Sequence, residues 1–522
     1  MNRKEMLSRM KHAQGPWDLI VIGGGATGLA TAIESASRGY QTLLLEQDDF
    51  AQATSSRSTK LIHGGVRYLQ QGNITLVLEA LKERGLLRKN APHLVHNLRF
   101  VVPNYDWWEG PFYGIGLKLY DMLAGKHGFG HSRLLSKEKT LEYLPTIETK
   151  GLRGGVIYYD GQFDDARLAV NMAQTAYEQS ASLINYMEVT GLRKEHGIVC
   201  GVMARDREDG DEYEIASRGV INATGVFADT VTRMDDPDTE KMILPSQGVH
   251  LVFDHSFLPG ESAIMVPHTA DGRVLFATPW HGRVVVGTTD IPVEKISREP
   301  RPMAEEIDFL LTHAARYLNK DPGPADILSM FAGLRPLVSQ GSEDGSAAVS
   351  RDHTIHISRS GLVTIAGGKW TTCRKMAADT IDQAATVAQL RESPSVSADL
   401  HIHGYHKNLE QYGELGIYGA DAQPIMDLMH ENPAYAQRLH ENLATVGAEV
   451  IWAARHEMAR TVEDFLSRRT RALLLDARAS MEMAPTVAAL LAEELGKDET
   501  WQQQQVREFC ELAGTYLPRR QS

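Results

Sequence analysis

Gly23, Gly25 and Gly28 make a G-x-G-x-x-G series, and Glu46 stands beyond it at the end of an apolar run. The chemistry open to such a set is the cradling of a dinucleotide. Gly23 allows a tight turn, Gly25 lets a pyrophosphate approach the backbone, and Gly28 permits close helix–strand packing. Ala26 and Thr27 open the helix whose free N–H groups would meet the phosphates. Glu46 is placed to accept from ribose hydroxyls, and its charge would repel a 2′-phosphate. The series alone is a weak signal. Here residues 18–22 read as a strand, Leu29, Ala32, Ile33 and Ala36 give a helical stripe, and residues 42–45 form a second strand ending on the acid. Strand, turn, helix, strand and acid is the context the motif needs. The competing reading is a glycine turn in an unrelated α/β protein, and these residues do not separate FAD from NAD.

Three further stretches have the composition to complete such a site. Residues 51–59 are rich in small and hydroxyl side chains, among them Thr54, Ser55 and Ser56, and run on into Lys60 and Leu61. This backbone could wrap phosphates and a ribityl chain, or be an ordinary solvated loop. Ala223-Thr224-Gly225 is a small-residue turn after a strand at 220–222, suited to the last strand of a nucleotide domain interrupted by residues 50–215. Gly368-Lys369-Trp370-Thr371 is again a glycine turn leading from strand to helix. A helix N-terminus near Thr371 could face the pyrimidine oxygen of a flavin, whose charge grows on reduction. Cations complete the set. Arg335 lies between Gly333-Leu334 and Pro336, an apolar setting for a surface charge, and Arg67 stands beside two glycines. A guanidinium fork meets an anion bidentately; the alternative is an internal ion pair. Arg351 sits on a short hairpin-like segment, where a charge commonly faces solvent.

The chain that must position these residues has 522 of them, enough for two or three domains with large cores. Hydrophobic residues at 43% and charged ones at 23% describe an ordinary globular protein. A net charge of −13 without a long basic block argues against nucleic acid as a partner. Cys200, Cys373 and Cys510 are far apart, so neither a metal site nor a disulfide framework is expected, and a reducing compartment fits. The first residues carry no apolar core of a signal peptide, and no apolar run is long enough to span a bilayer. Attachment to a membrane surface stays open. Residues 97–128 are rich in aromatics and glycine, and residues 111–125 suggest a helix with one broad apolar face, packed in the core or laid on a membrane. Alternation over 243–295 predicts a second, β-rich domain that could roof the cofactor, and residues 303–318 an amphipathic helix. Residues 408–522 read as nearly strand-free, with helices near 423–431, 433–444, 447–459, 461–475, 483–496 and 500–514.

Strings spread along the chain resemble the FAD-dependent, respiratory glycerol-3-phosphate dehydrogenases. They are GGGATG (23–28), TSSRSTKLIHGGVRYL (54–69), DDARL (164–168), NATG (222–225), VVVGTTD (284–290), AGLRPL (332–337), SRDH (350–353), AGGKWTTCRKMA (366–377) and EMARTVEDFLSRRTR (457–471). The resemblance implies an α/β fold: a Rossmann-like FAD-binding domain of glycine-oxidase type, a β-rich substrate domain and an all-helical C-terminal domain. On this reading residues 1–394 form the oxidoreductase region. Its FAD-binding parts fall near 16–95, 150–235 and 350–394, its substrate-binding cap near 96–149 and 236–349, and the helical domain covers 395–522. The family implies non-covalent FAD, no metal, oxidation of sn-glycerol 3-phosphate to dihydroxyacetone phosphate, and electrons passed to membrane quinone. A cytoplasmic homodimer, peripheral on the inner membrane face, is the matching expectation.

Matched string by string, Arg67 and His63 look like the family's active-site arginine and histidine, while Arg335, Arg351 and Lys369 resemble residues lining its substrate pocket. His250 looks like its histidine near substrate, and Thr289 and Asp290 lie in its GTTD string. His63 and His250 share the candidacy for the base that takes the C2 hydroxyl proton, with Lys369 a third candidate; histidine suits neutral operation. Three stretches depart from the pattern: Gln247-Gly248-Val249-His250 stands where a Lys-Gly-Ser-His-like string is expected, His281 follows Pro-Trp where an acidic or neutral residue is more usual, and Cys373 stands where a tyrosine is common. Rival readings are a glycerol-3-phosphate oxidase that passes electrons to oxygen, an amino-acid or hydroxy-acid oxidase on the same scaffold, and a non-catalytic flavin-binding interaction module.

Overall fold

The computed structural model describes residues 1–65, 73–267, 274–339 and 353–519. Its first sheet is built on the strand Trp17–Ile22, which is buried almost throughout and therefore needs cover on both faces. Helices Ala26–Ser37, Asp165–Glu178 and Cys373–Val387 lie side by side as one cover, and Val189, Val202 and Ala204 of strands Met187–Glu195 and Ile198–Asp206 join the same core. The strand order is 353–357, 363–367, 212–222, 17–22, 42–45, 182–184, parallel except at the first edge. The long strand Glu212–Asn222 serves twice. Its first half pairs with Ile198–Asp206 in a hairpin, and its second half runs parallel to Trp17–Ile22. It is not the last strand of the nucleotide fold, because Val363–Gly367 pairs along its other side.

A second, ten-stranded sheet lies beside the first. Its longest pairing joins Ile243–Asp254 to Ile327–Val338, and Arg283–Gly287 runs along the other edge of Ile243–Asp254. The strand Gly154–Phe163, placed by sequence with the cofactor domain, pairs residue for residue with Val95–Asn104 and belongs to this sheet. Alternating Val101, Ile157, Leu251, Ile264 and Val286 close one face under the helix Ala304–Ala315.

The C-terminal part is mainly helical, with one correction. Residues 433–444, read as a helix, hold a short 3-10 turn and a hairpin of Arg438–His440 with Leu443–Val446, since β-branched Thr445 and Val446 favour extended backbone. Helices Ala477–Leu495 and Glu499–Gly514 share a core with Val252, Trp280, Val285 and Phe331 of the second sheet. The helical region is thus packed onto the sheet that carries the substrate-side residues.

Candidate active site

Two cavities meet between the sheets and share Thr54, Pro336 and residues 367–370. The first, about 320 Å³, begins at the strand ends of the parallel sheet. Gly23, Gly25, Ala26 and Thr27 form its floor, Ala223, Thr224 and Gly225 a wall, and Glu46, Thr54 and Ser55 the loop over it. The helix Ala26–Ser37 starts at Gly25; the Ala26 N–H donates to the Ser55 hydroxyl at 2.9 Å, and the other first-turn N–H groups are left to face an anion. Gly23 has φ of 108°, and a Cβ there would fall 2.8 Å from the Ala223 carbonyl oxygen. Gly28 lines neither of the two cavities; a Cβ on it would come within 1.9 Å of the Gly23 oxygen, the packing role its spacing predicts. Glu46 accepts from the Gly24 N–H at 2.5 Å and the Asp48 N–H at 2.8 Å. Burial outweighs these bonds and pushes its carboxyl up to about 7. Open helix end, glycines and strand-end acid fit the pyrophosphate and adenosine of FAD, with residues 368–370 at the far end for the ring.

The second cavity, about 340 Å³, has a mixed lining. His63, His250, Asp290, Arg335 and Lys369 are among its polar residues, and Phe100, Tyr158, Met265 and Phe276, which pack in one cluster, are among its apolar ones. Arg335 faces Ser246 across paired strands and is aimed by its neighbours: it donates to Asp290 Oδ1 at 3.0 Å and to Thr288 Oγ1 and the Thr289 carbonyl, both at 3.1 Å. Asp290 also accepts from the Ser246 hydroxyl. His250 is 2% exposed, its ring stacked on Phe331 at 4.8 Å. Its Nε2 lies 3.0 Å from Thr59 Oγ1, and its Nδ1 is buried without a hydrogen-bond partner among the described residues. Burial, then the charges of Arg335 and Lys60, hold this imidazole well below its ordinary pKa, so it rests neutral.

The sequence-derived set divides as follows. Trp370 and Gly368 line both cavities, and Leu61 and Thr371 line the second. Thr289 lies behind the wall, where its hydroxyl donates to Glu306 at 2.6 Å and accepts from the Val249 N–H, and Thr288 takes its place in the cavity. Lys60 reaches neither cavity. It is fully buried, 2.8 Å from Asp165, because an internal cation needs a carboxylate and Asp165 is the nearest. Ser56 is likewise interior, its carbonyl accepting from Lys60. His281 and Cys373, two of the departures, also face elsewhere; His281 pairs with Asp164. Arg67 and Arg351 lie outside the described residues. Sequence reasoning missed Arg57, Thr59 and Asp160, all at the second cavity. Asp160 is fixed by Arg84 at 2.5 Å and the Tyr120 hydroxyl at 2.9 Å. An acid within an aromatic strand was the available signal for Asp160; nothing local marks Thr59.

Comparison with known proteins agrees with this geometry. Residues 18–374 match the family described as FAD dependent oxidoreductase, and residues 363–503 match the C-terminal domain of alpha-glycerophosphate oxidase. The chain is 39% identical to the mitochondrial glycerol-3-phosphate dehydrogenase of Homo sapiens over 94% of its own length and 72% of that protein's. It is 38% identical to the one of Arabidopsis thaliana, over 97% and 87%. The structure of the glycerol-3-phosphate dehydrogenase from Bacillus halodurans complexed with FAD superposes with a TM-score of 0.81 at 29% identity, covering 100% of this chain and 98% of that one. Glycine oxidase from Bacillus cereus shares the fold of the oxidoreductase region at a TM-score of 0.51 and 18% identity. With the dinucleotide cavity opening onto a cationic hollow, and these likenesses running nearly end to end, the chain belongs to the FAD-dependent glycerol-3-phosphate dehydrogenases.

Proposed function

We propose that the protein oxidises sn-glycerol 3-phosphate at C2 to dihydroxyacetone phosphate and delivers the electrons to a membrane quinone. The observation that carries the substrate reading is the convergence of Arg335 and Lys369 with a neutral histidine at the junction of the two cavities. Bound FAD supplies the two-electron acceptor for the hydride of C2. The remaining work belongs to side chains. Arg335, held in one orientation by Asp290 and Thr288, presents its fork to the phosphate. Lys369 adds positive charge on the turn that joins the cavities, and Arg67 and Arg351 are proposed to add to it. His250, neutral and with Nδ1 uncommitted, takes the hydroxyl proton as hydride leaves. The cationic surroundings that depress its pKa also favour its prompt deprotonation after turnover.

The acceptor reading is supported by the outer face of one helix. Glu109–Ala124 buries Tyr113, Leu117, Tyr120 and Ala124 but leaves Ile115 73% and Met122 78% exposed, with Phe112 and Leu119 also exposed, and Trp107 in the turn before it is 77% exposed. The inner side of the helix packs in the core, and its outer side is mostly apolar but carries an exposed Lys118. Exposed apolar side chains with a lysine among them suit the interfacial zone of a bilayer. Among the described residues no helix is long and apolar enough to cross a membrane. The test has two halves. Anaerobic addition of glycerol 3-phosphate to the flavoprotein should bleach its visible band, whereas glycerol should not. Reduced enzyme should then reoxidise faster with a short-chain quinone than with oxygen, and W107S/F112S protein should lose sedimentation with liposomes. Faster reoxidation by oxygen would establish the oxidase instead.

A further inference from the structure

The loop that covers the adenosine half of the cofactor cavity does not stand by itself. Residues 46–48 and 51–55 face the cavity, but Asp49 between them points the other way and is fully buried. Its two carboxylate oxygens are taken by consecutive arginines of the C-terminal region: Arg469 donates at 2.6 and 2.9 Å, and Arg468 donates through Nε. Consecutive residues of an α-helix diverge, yet these two converge because residues Asp464–Arg469 form a π-turn, a wider coil often found at functional sites. The loop is held again at its far end, where Arg57 donates to the Tyr516 hydroxyl and to Glu299.

The distribution of charge indicates what this contact does. Arg468 also pairs with Asp464 at 2.9 Å and Glu463 at 3.0 Å, and Arg469 donates to the Glu457 carbonyl at 2.9 Å, all within its own region. The arginines therefore keep partners without Asp49, whereas among the described residues the Asp49 carboxylate is held by these two arginines alone; its neighbours Asp48 and Ala51 are tied to their own domain, by Arg207 and by the Gly24 carbonyl. A buried ion cluster contributes little net stability compared with apolar packing. What it does fix is geometry, and here that geometry belongs to a cofactor-covering loop. We propose that Arg468 and Arg469, through Asp49, are positioning residues for FAD: the helical region pre-orders the 46–55 loop, so that little ordering cost is left to cofactor binding. A loop folded only part of the time lowers apparent affinity in proportion.

The test uses full-length apoprotein and FAD itself, with affinity read by fluorescence quenching well below the thermal midpoint, and with urea midpoints measured in parallel. Asp49→Asn should weaken FAD binding by about tenfold or more and open residues 47–55 to limited proteolysis, while the KM for glycerol 3-phosphate at saturating FAD stays at the wild-type value. Asp49→Asn and Arg469→Met together should cost less than the sum of the two. Phe509→Leu, in the helical core away from Asp49, serves as the control and should lower the urea midpoint without moving FAD affinity. The proposal is overturned if Asp49→Asn keeps wild-type affinity, or if Phe509→Leu weakens FAD equally at matched stability. Should Asp49→Asn fail to fold, Arg469→Lys, which keeps the charge but loses the fork, must show the same selective loss.

Discussion

The two cavities touch, yet they are made from different materials. The cofactor cavity is chiefly backbone: a glycine turn, a helix N-terminus and a small-residue wall, with one carboxylate at the strand end. The substrate hollow is chiefly side chains, brought by strands Ile243–Asp254 and Ile327–Val338, by the turn at 288–290 and by residues 367–371. A backbone site tolerates almost no added volume at its contact points, whereas a side-chain site tolerates volume but not a change of charge. The two should therefore fail in different ways.

The largest effect is expected from Gly28→Val. The first added carbon would sit 1.9 Å from a carbonyl oxygen that belongs to the same turn, and no side-chain rotation relieves it. Purified protein should contain no flavin, measured as the ratio of flavin to protein absorbance. Retention of stoichiometric FAD would break the contrast at its root.

Next in size is His250→Asn, which should lower kcat by about 10²–10⁴ while leaving flavin content intact. The matching His63→Asn sharpens the comparison. If His63 carries the larger loss in kcat and His250 almost none, the proton goes to the other candidate. Smaller again is Arg335→Leu. Removing a hydrogen-bonded cation from its anionic ligand costs about 3 kcal/mol, or on the order of 100-fold in kcat/KM for glycerol 3-phosphate. Oxidation of unphosphorylated glycerol should change far less, and equal losses for both would remove the phosphate role.

The same contrast governs what could be read without coordinates. Gly23, Gly25, Gly28 and Glu46 were legible because a backbone cradle has to be contiguous, and its spacing is set by one turn of chain. The strand 17–22 and the helix after it followed from the same stretch. Arg335 stood out by its apolar neighbours, but its partner Asp290 and the register that places Ser246 opposite are matters of sheet pairing. Lys60 misled because a cation in a hydroxyl-rich loop looks like a phosphate ligand; only tertiary contact reveals Asp165. The strand 154–163 was assigned to the wrong sheet for a related reason. Its alternation fits either sheet, and the ten-residue pairing with Val95–Asn104 decides it.

A change outside both cavities marks the floor of the comparison. His403 bridges Glu178 of the helix Asp165–Glu178 and Asp421, at 2.5 and 2.8 Å. Burial opposes its charge, but the bonds to Asp421 and Glu178 prevail and raise its pKa from 6.5 to about 9. His93, buried beside it and held down to about 3 chiefly by its own burial and then by Arg167, remains neutral throughout. Because the folded state binds the His403 proton more tightly than the unfolded chain, the bridge contributes in full below 6.5 and is lost as pH rises toward 9. His403→Gln should cost about 1–2 kcal/mol of urea stability at pH 6 and nearly nothing above pH 9, so that mutant and parent converge in alkaline solution. Flavin content and kcat/KM should match the parent at both pH values. A constant gap across the range would mean that His403 acts by packing, and a fall in flavin content would draw this bridge into the cofactor site.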